Sequence, residues 1–307
     1  MPGTALITHP DCVKHEIAPG HPEQPARIGA VLDALEAAGL TGSLENFEAP
    51  EADKSHLVLA HPDAYVQSIF DASPASGSVQ LDADTAMNEY SLRAALLAAG
   101  AGIKSVDLVM DGKVDSSFCC VRPPGHHAEK TTAMGFCFFG SIAVAALYAL
   151  QKKGIDKVAI IDFDVHHGNG TEDLIGDNED VFFCSSFQHP LYPGKFGQNV
   201  PGRKINIPLD TGSGGEIFKQ KMQSDCLPAL RAFAPDMIFI SAGFDAHKDD
   251  PLAGLNLLEE DFAWITAELK TIADEFSSGR VVSMLEGGYN LAALGRSAAA
   301  HVGELIK

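Results

Sequence analysis

Short apolar runs recur along the chain, and most close on a polar cluster: Thr4 to Thr8, Ser117 to Val121, Val158 to Ile161, Val181 to Ser186, Lys204 to Leu209, Met237 to Ser241 and Val281 to Leu285. Continuous apolar runs of this length predict strands covered on both faces. Between them lie segments of helical period: Arg27 to Ala38, His61 to Phe70, Ser91 to Met110, Ser141 to Leu150, Ile217 to Phe233, Glu259 to Phe276 and Leu291 to Ile306. Ser91 is expected to cap its helix, and Pro228 to bend the helix it interrupts. Strands alternating with helices predict an α/β fold with a mainly parallel central sheet. No linker, repeat or low-complexity tract divides residues 1–307, which read as one domain.

In such sheets ligands bind beyond the carboxyl ends of the strands. Four of the runs end in reactive side chains there: His126 and His127; Asp162, Asp164 and His166; Asp245; and Tyr289. On a strand, residues two apart point to one side, so Asp164 and His166 converge, with Asp162 behind them. A carboxylate beside an imidazole suits zinc or another divalent first-row metal. The competing reading is a plain strand end followed by a polar turn. Asp245 is the best third ligand, because it follows a buried run through Gly243. Asp249 and Asp250 compete for that role but read as a solvated turn.

His126 and His127 follow the stiff Arg122-Pro-Pro-Gly turn and can divide general-base and general-acid duties. Asp162 and Asn169 are the nearest suitable partners for their second ring nitrogens; two structural loop histidines are the alternative. His167 points away from the ligand side and reads as structural. Tyr289 follows Gly287-Gly288, where the backbone can approach a site closely and a phenol can bond an oxyanion. A packing tyrosine is the alternative. Phe136 and Phe187 either wall a narrow channel for an aliphatic chain or belong to the core.

Composition narrows the partners. The net charge is −19, from 22 Lys+Arg against 41 Asp+Glu. That balance disfavours phosphate backbones and anionic membranes and is compatible with cationic substrates. The six cysteines form no C-x-x-C pair, which predicts reduced thiols. No secretory leader and no bilayer-length apolar run is evident, so a cytoplasmic location is expected.

The ordered blocks resemble the zinc-dependent histone deacetylase superfamily, which includes bacterial deacetylase-like amidohydrolases and acetylpolyamine amidohydrolases. They are Arg122-Pro-Pro-Gly-His-His, Gly135-Phe-Cys-Phe-Phe, Asp162-Phe-Asp-Val-His-His-Gly-Asn-Gly-Thr, Ser241-Ala-Gly-Phe-Asp-Ala-His, Asp250-Pro-Leu and Leu285-Glu-Gly-Gly-Tyr. The Arg-Pro-Pro-Gly form and Asn169 look like the class II branch. The resemblance implies an arginase/deacetylase-type fold and one Zn²⁺ held by Asp164, His166 and Asp245. It implies His126 and His127 as the acid/base pair backed by Asp162 and Asn169, and Tyr289 at the carbonyl. It implies a substrate tunnel of Gly135, Phe136, Phe187 and Leu252. It also implies a K⁺ held by main-chain oxygens of Asp162, Asp164 and His166 with Ser185. The implied reaction is removal of acetyl or related acyl groups from acyl-lysine or acylated amines.

Five residues depart from the family pattern. Gln24 stands where an arginine is usual, and that arginine is linked to a channel below the site. Lys195-Phe196 interrupts a Pro-Gly-Thr-Gly element and is expected to reshape the rim. Gly140 replaces an asparagine. Leu252 stands where a polyamine-selective relative carries an acidic residue, which disfavours polyamines. The alternatives are a small-molecule amide deacetylase of the same fold, a dinuclear manganese enzyme and a silent metal-binding scaffold. A homo-oligomer is left open.

Overall fold

The computed structural model describes residues 3–307. Its strands in chain order are β1 (Gly3–Thr8), β2 (Leu44–Glu48), β3 (Ser78–Gln80), β4 (Ala86–Asn88), β5 (Val114–Cys119), β6 (Val158–Asp162), β7 (Val181–Gln188), β8 (Lys204–Leu209), β9 (Met237–Ala242) and β10 (Val281–Leu285). β3 and β4 form a small antiparallel pair. The other eight make one parallel sheet in the order β2-β1-β5-β10-β9-β6-β7-β8.

Both faces of the central strands are covered, which explains why these read as unbroken apolar runs, whereas the edge strand β2 is largely exposed and carries no such run. Ala159 and Ile161 of β6 face a core shared with helices Ala26–Ala37, Glu259–Phe276 and Leu291–Leu305. Val158 and Ile160 face the opposite core, built with helices Ser91–Met110 and Ser141–Ala149. The four strands that end in reactive residues are neighbours at the centre, as β5-β10-β9-β6. Their register is level: Asp162 lies opposite Ser241 of β9 and Ser185 of β7, and Met284 lies opposite Ser241 and Cys119. Loops that leave these strands therefore emerge together.

Local expectations are corrected at several points. Ser91 does not cap its helix. Tyr90 holds the cap position, while the Ser91 hydroxyl accepts from the Asn88 N–H at 2.8 Å and meets His15 Nδ1 at 2.7 Å. The segment carrying Pro228 is three pieces, Gly215–Lys221, a π turn at Met222–Cys226 and Leu227–Phe233. The irregular turn precedes the proline, which has no N–H to offer the carbonyl four residues earlier. Helix Asn169–Ile175 begins inside the polar stretch and was not legible there, because its first turn carries no apolar period. Gly140 acquires a physical reading: a Cβ on it would sit 2.2 Å from Leu174 Cδ1.

Candidate active site

β6 ends at Asp162, so Asp164 and His166 stand beyond the strand in the following turn. Strand alternation therefore does not bring them together; the turn does. Asp164, His166 and Asp245 are buried, and each offers a ligand atom within 4.8 Å of the others. His166 Nδ1 lies 3.1 Å from Asp164 Oδ1 and 3.2 Å from Asp245 Oδ2. Main-chain amides fix the carboxylates: Gly287 N donates to Asp164 Oδ2 at 2.8 Å, and Val165 N donates to Asp245 Oδ1 at 2.9 Å. Gly243 and Gly287 allow the backbone this close. A Cβ on the first would fall 2.0 Å from Asp164 Oδ2, and on the second 2.1 Å from Asp245 Oδ2.

Asp245 Oδ2 is buried and has no hydrogen-bond donor. Burial and the neighbouring Asp164 charge push the Asp245 carboxyl up to about 7. Burial also opposes charge on Asp164, but the imidazoles of His126 and His166 hold its carboxyl well below the usual range. Two carboxylates and an imidazole converging on an unsatisfied oxygen fit a divalent cation.

The two histidines of the next loop have different partners. His126 Nδ1 lies 3.0 Å from Asp162 Oδ2, and its Nε2 lies 3.7 Å from Asp164 Oδ2. His127 Nδ1 lies 2.7 Å from Asn169 Oδ1. Their rings are 4.0 Å apart. Burial works against charge on both. For His126 the carboxylates of Asp164 and Asp162 outweigh it and raise the imidazole well above its ordinary value. For His127 burial combines with the neighbouring His126 and His166 to lower it well below.

Glu286 was missed in the sequence, although it directly follows β10. Its Oε2 accepts from Gly125 N at 2.7 Å and His126 N at 3.1 Å, which anchors the histidine loop. Burial pushes its carboxyl up to about 7.

A cavity of about 200 Å³ opens onto these groups. Asp84, His127, Gly135, Phe136, His166, Leu191, Tyr192, Leu252 and Tyr289 line it. Gly135 and Phe136 both have left-handed backbone, φ 57° and 69°. Gly135 N donates to Asp84 Oδ1 at 3.1 Å and Phe136 N to Thr85 Oγ1 at 2.9 Å, which holds the pair in place. A Cβ on Gly135 would meet His127 Cδ2 at 2.4 Å, so glycine alone fits there.

Phe187 is not a wall of this cavity. It lies near the end of β7, buried, with its ring 4.7 Å from the buried His167 and 4.9 Å from the exposed Phe196. Tyr192, in the loop that follows β7, takes the facing position, 5.0 Å from the His127 ring. Ser185 stays on β7, its hydroxyl accepting from Gly168 N at 3.3 Å. His167 turns away as expected, with Nε2 2.9 Å from Asn206 Oδ1.

Asp250 is not part of a solvated turn. It is buried, and its Oδ2 accepts from Tyr289 N at 2.7 Å while Oδ1 accepts from Leu252 N at 3.0 Å. It thus fixes two cavity residues at once. Asp249 is half exposed.

Gln24 does not leave the region without an arginine. Arg27, one helical turn on and fully buried, lies 5.1 Å from the Tyr289 ring and donates to the Gly288 carbonyl at 2.7 Å. Its spacing to Val31 and Leu35 put it on the buried stripe of its helix, a signal present in the sequence. Lys195 and Phe196 line a second cavity, described below, rather than the first.

The sequence pattern of the histone deacetylase domain matches residues 21–305. The chain is 41% identical to histone deacetylase 10, chloroplastic, of Oryza sativa subsp. japonica, over 91% of this chain and 68% of that protein. It is 36% identical to a histone deacetylase-like amidohydrolase of Pseudomonas aeruginosa, over 91% of this chain and 75% of that one. The crystal structure of the HDA15 HD domain superposes with a TM-score of 0.92 at 36% identity, covering 99% of this chain and 88% of that chain.

Proposed function

The chain belongs to the histone deacetylase family and is an amide-bond hydrolase of the deacetylase type, and on that premise we propose how its own residues carry the reaction. Zn²⁺ is the cation we assign to Asp164, His166 and Asp245. The observation that carries this is the buried, donorless Asp245 Oδ2 facing His166 Nδ1 between two carboxylates. When bound, the ion would supply Lewis acidity toward the substrate carbonyl and the attacking water.

His127 is the proton carrier in this reading. It lines the cavity, and burial beside His126 and His166 keeps the ring neutral, with one ring nitrogen unprotonated. It takes a proton from the attacking water and later delivers one to the departing amine. His126, set against Asp162 and Asp164, keeps positive charge beside the reacting carbonyl. Tyr289, whose phenol is held neutral by burial and the Asp245 charge, donates to the oxygen that becomes negative. Phe136, Leu191, Tyr192 and Leu252 exclude water along the acyl chain.

The substrate we favour is acyl-lysine. A narrow cavity with aromatic and aliphatic walls supports an extended methylene chain ending in a small acyl group. Acylated polyamines are the second reading, favoured by Asp84 on the cavity wall and the net charge of −19. K⁺ at main-chain oxygens of Asp162, Asp164 and His166 with Ser185 completes the proposal, supported by the pairing of Asp162 with Ser185. The six buried free cysteines support a reducing, cytoplasmic setting. No described helix is long and apolar enough to cross a membrane.

An acetyl-lysine peptide, a trifluoroacetyl-lysine peptide and acetylated polyamines, offered side by side to metal-quantified protein, test the substrate. Preference for the peptides is expected; preference for polyamines would transfer the function to small amines.

A further inference from the structure

Behind the histidine loop lies a second cavity of about 450 Å³, whose lining includes Glu129, Asn169, Lys195 and Phe196. It meets the candidate active site at one residue. Asn169 is buried, and its Oδ1 faces His127 Nδ1 at 2.7 Å. On the cavity side its Nδ2 donates to Glu129 Oε1 at 2.8 Å, with Met134 Sδ 3.5 Å from the same nitrogen. Lys195, mostly exposed, is 3.8 Å from Glu129 Oε1 and leaves that oxygen to the amide.

The two histidines differ in how their partners can act. Asp162, as a carboxylate, only accepts, so His126 Nδ1 faces an acceptor whichever way the group turns. Asn169 carries an acceptor on one side and a donor on the other. Turned by half a revolution, its Nδ2 would face His127 Nδ1. A neutral ring would then have to accept there and carry its proton on the other nitrogen, which could no longer take a proton from water. Glu129 forbids this turn, because it would set Asn169 Oδ1 against a carboxylate oxygen.

We propose that Glu129 is a positioning residue: by accepting from Asn169 it fixes the amide, and through the amide the tautomer of His127. The inference rests on the reading of His127 as proton carrier. The Glu129 backbone is held independently, its N–H donating to the Thr132 carbonyl at 3.0 Å, so the side chain can be removed without opening that turn.

The test is a cycle of Glu129→Ala and Asn169→Asp, with His127→Ala alongside, read by kcat and KM on an acetyl-lysine peptide. Glu129→Ala is expected to lower kcat about tenfold with KM nearly unchanged, the scale on which outer hydrogen-bond partners act. In the Asn169→Asp background the same change should cost nothing or raise kcat, because aspartate has no wrong way round and loses a like-charged neighbour 2.8 Å away. In ¹⁵N-histidine-labelled protein, His127 should carry its proton on Nδ1, and Glu129→Ala should populate the Nε2-protonated ring. An equal loss in both backgrounds, or an unchanged tautomer in Glu129→Ala, overturns the inference. If His127→Ala is inactive while Glu129→Ala turns over normally, this inference alone fails. If His127→Ala still turns over, the reading beneath it fails.

Discussion

Two buried clusters of charge meet at the carboxyl ends of the central strands. In one, Glu23 accepts from Arg122 through both carboxylate oxygens and from Arg27 Nη1 at 3.1 Å. The arginines spend their remaining hydrogens on the carbonyls of Cys12, His15, Glu286 and Gly288. Burial opposes the Glu23 charge, but the Arg122 guanidinium above all holds that carboxyl well below its usual range. In the other, Asp164 and Asp245 share one imidazole, and Asp245 Oδ2 has no donor. In the first cluster the carboxylate and both guanidinium groups are paired within the chain, while His15 Nε2 stands 3.4 Å from Glu23 Oε2 without a hydrogen bond. The second pairs two carboxylates with one imidazole and offers three ligand atoms that could hold a cation, and that difference separates a structural ion network from a candidate site.

The largest expected effect lies in the second cluster. Asp164→Ala should lose both the metal and turnover; full metal occupancy in that variant would remove Asp164 from the ligand set. In the first cluster Glu23→Ala strands two buried guanidinium groups and should cost about 3–5 kcal/mol of stability. Denaturant melts of the metal-loaded protein check this, and a loss below 1 kcal/mol would mean that the cluster is not self-contained. Tyr289→Phe keeps the ring that faces Arg27 and leaves the ions of both clusters in place. It should lower kcat by roughly 10²–10³-fold, the scale of one lost oxyanion donor, with metal content intact. Near-normal turnover would exclude the phenol from the chemistry.

A third buried cluster sharpens the contrast because it carries no charge. His301 lies between Thr266 Oγ1 at 2.6 Å and Ser283 Oγ at 2.7 Å, and burial pushes it down to about 3. The folded state therefore refuses a proton that the unfolded chain accepts near pH 6.5. Its contribution is constant above that pH. As pH falls from about 6.5 toward 3, stability should decline by roughly 1.4 kcal/mol per unit. Metal-free His301→Gln should show a shallower decline than metal-free native protein; equal slopes would place the acid sensitivity elsewhere. The smallest effect is on the metal-free second cluster itself. Asp245→Asn removes one of its two carboxylates and should raise the melting temperature relative to native metal-free protein. A lower one would mean that the two carboxylates do not oppose each other there.

The strands and the reactive residues at their ends were legible because a parallel sheet covered on both faces needs unbroken apolar runs, and the change to Asp and His marks where each run stops. The join between Asp164 and His166 was read through the wrong geometry, since alternation tells which way a side chain points but not where a strand ends. Phe187 was misplaced for a related reason. It lies on the last residues of β7, and the wall it was expected to form belongs to Tyr192 in the loop beyond. Gln24 drew attention away from Arg27, whose helical spacing to Val31 and Leu35 marked it as buried. Asp250 read as solvated because the Tyr289 amide that buries it is set by tertiary structure; its other partner, the Leu252 amide, is a neighbour in the chain.

If the second cluster holds the cation proposed for it, hydrolysis requires that cation. Acetate release from an acetyl-lysine peptide should therefore be measured on native protein, on protein stripped by a chelator and on stripped protein given zinc. Activity that vanishes on stripping and returns at one equivalent per chain is the predicted result. Undiminished turnover by protein shown to be free of metal would contradict it.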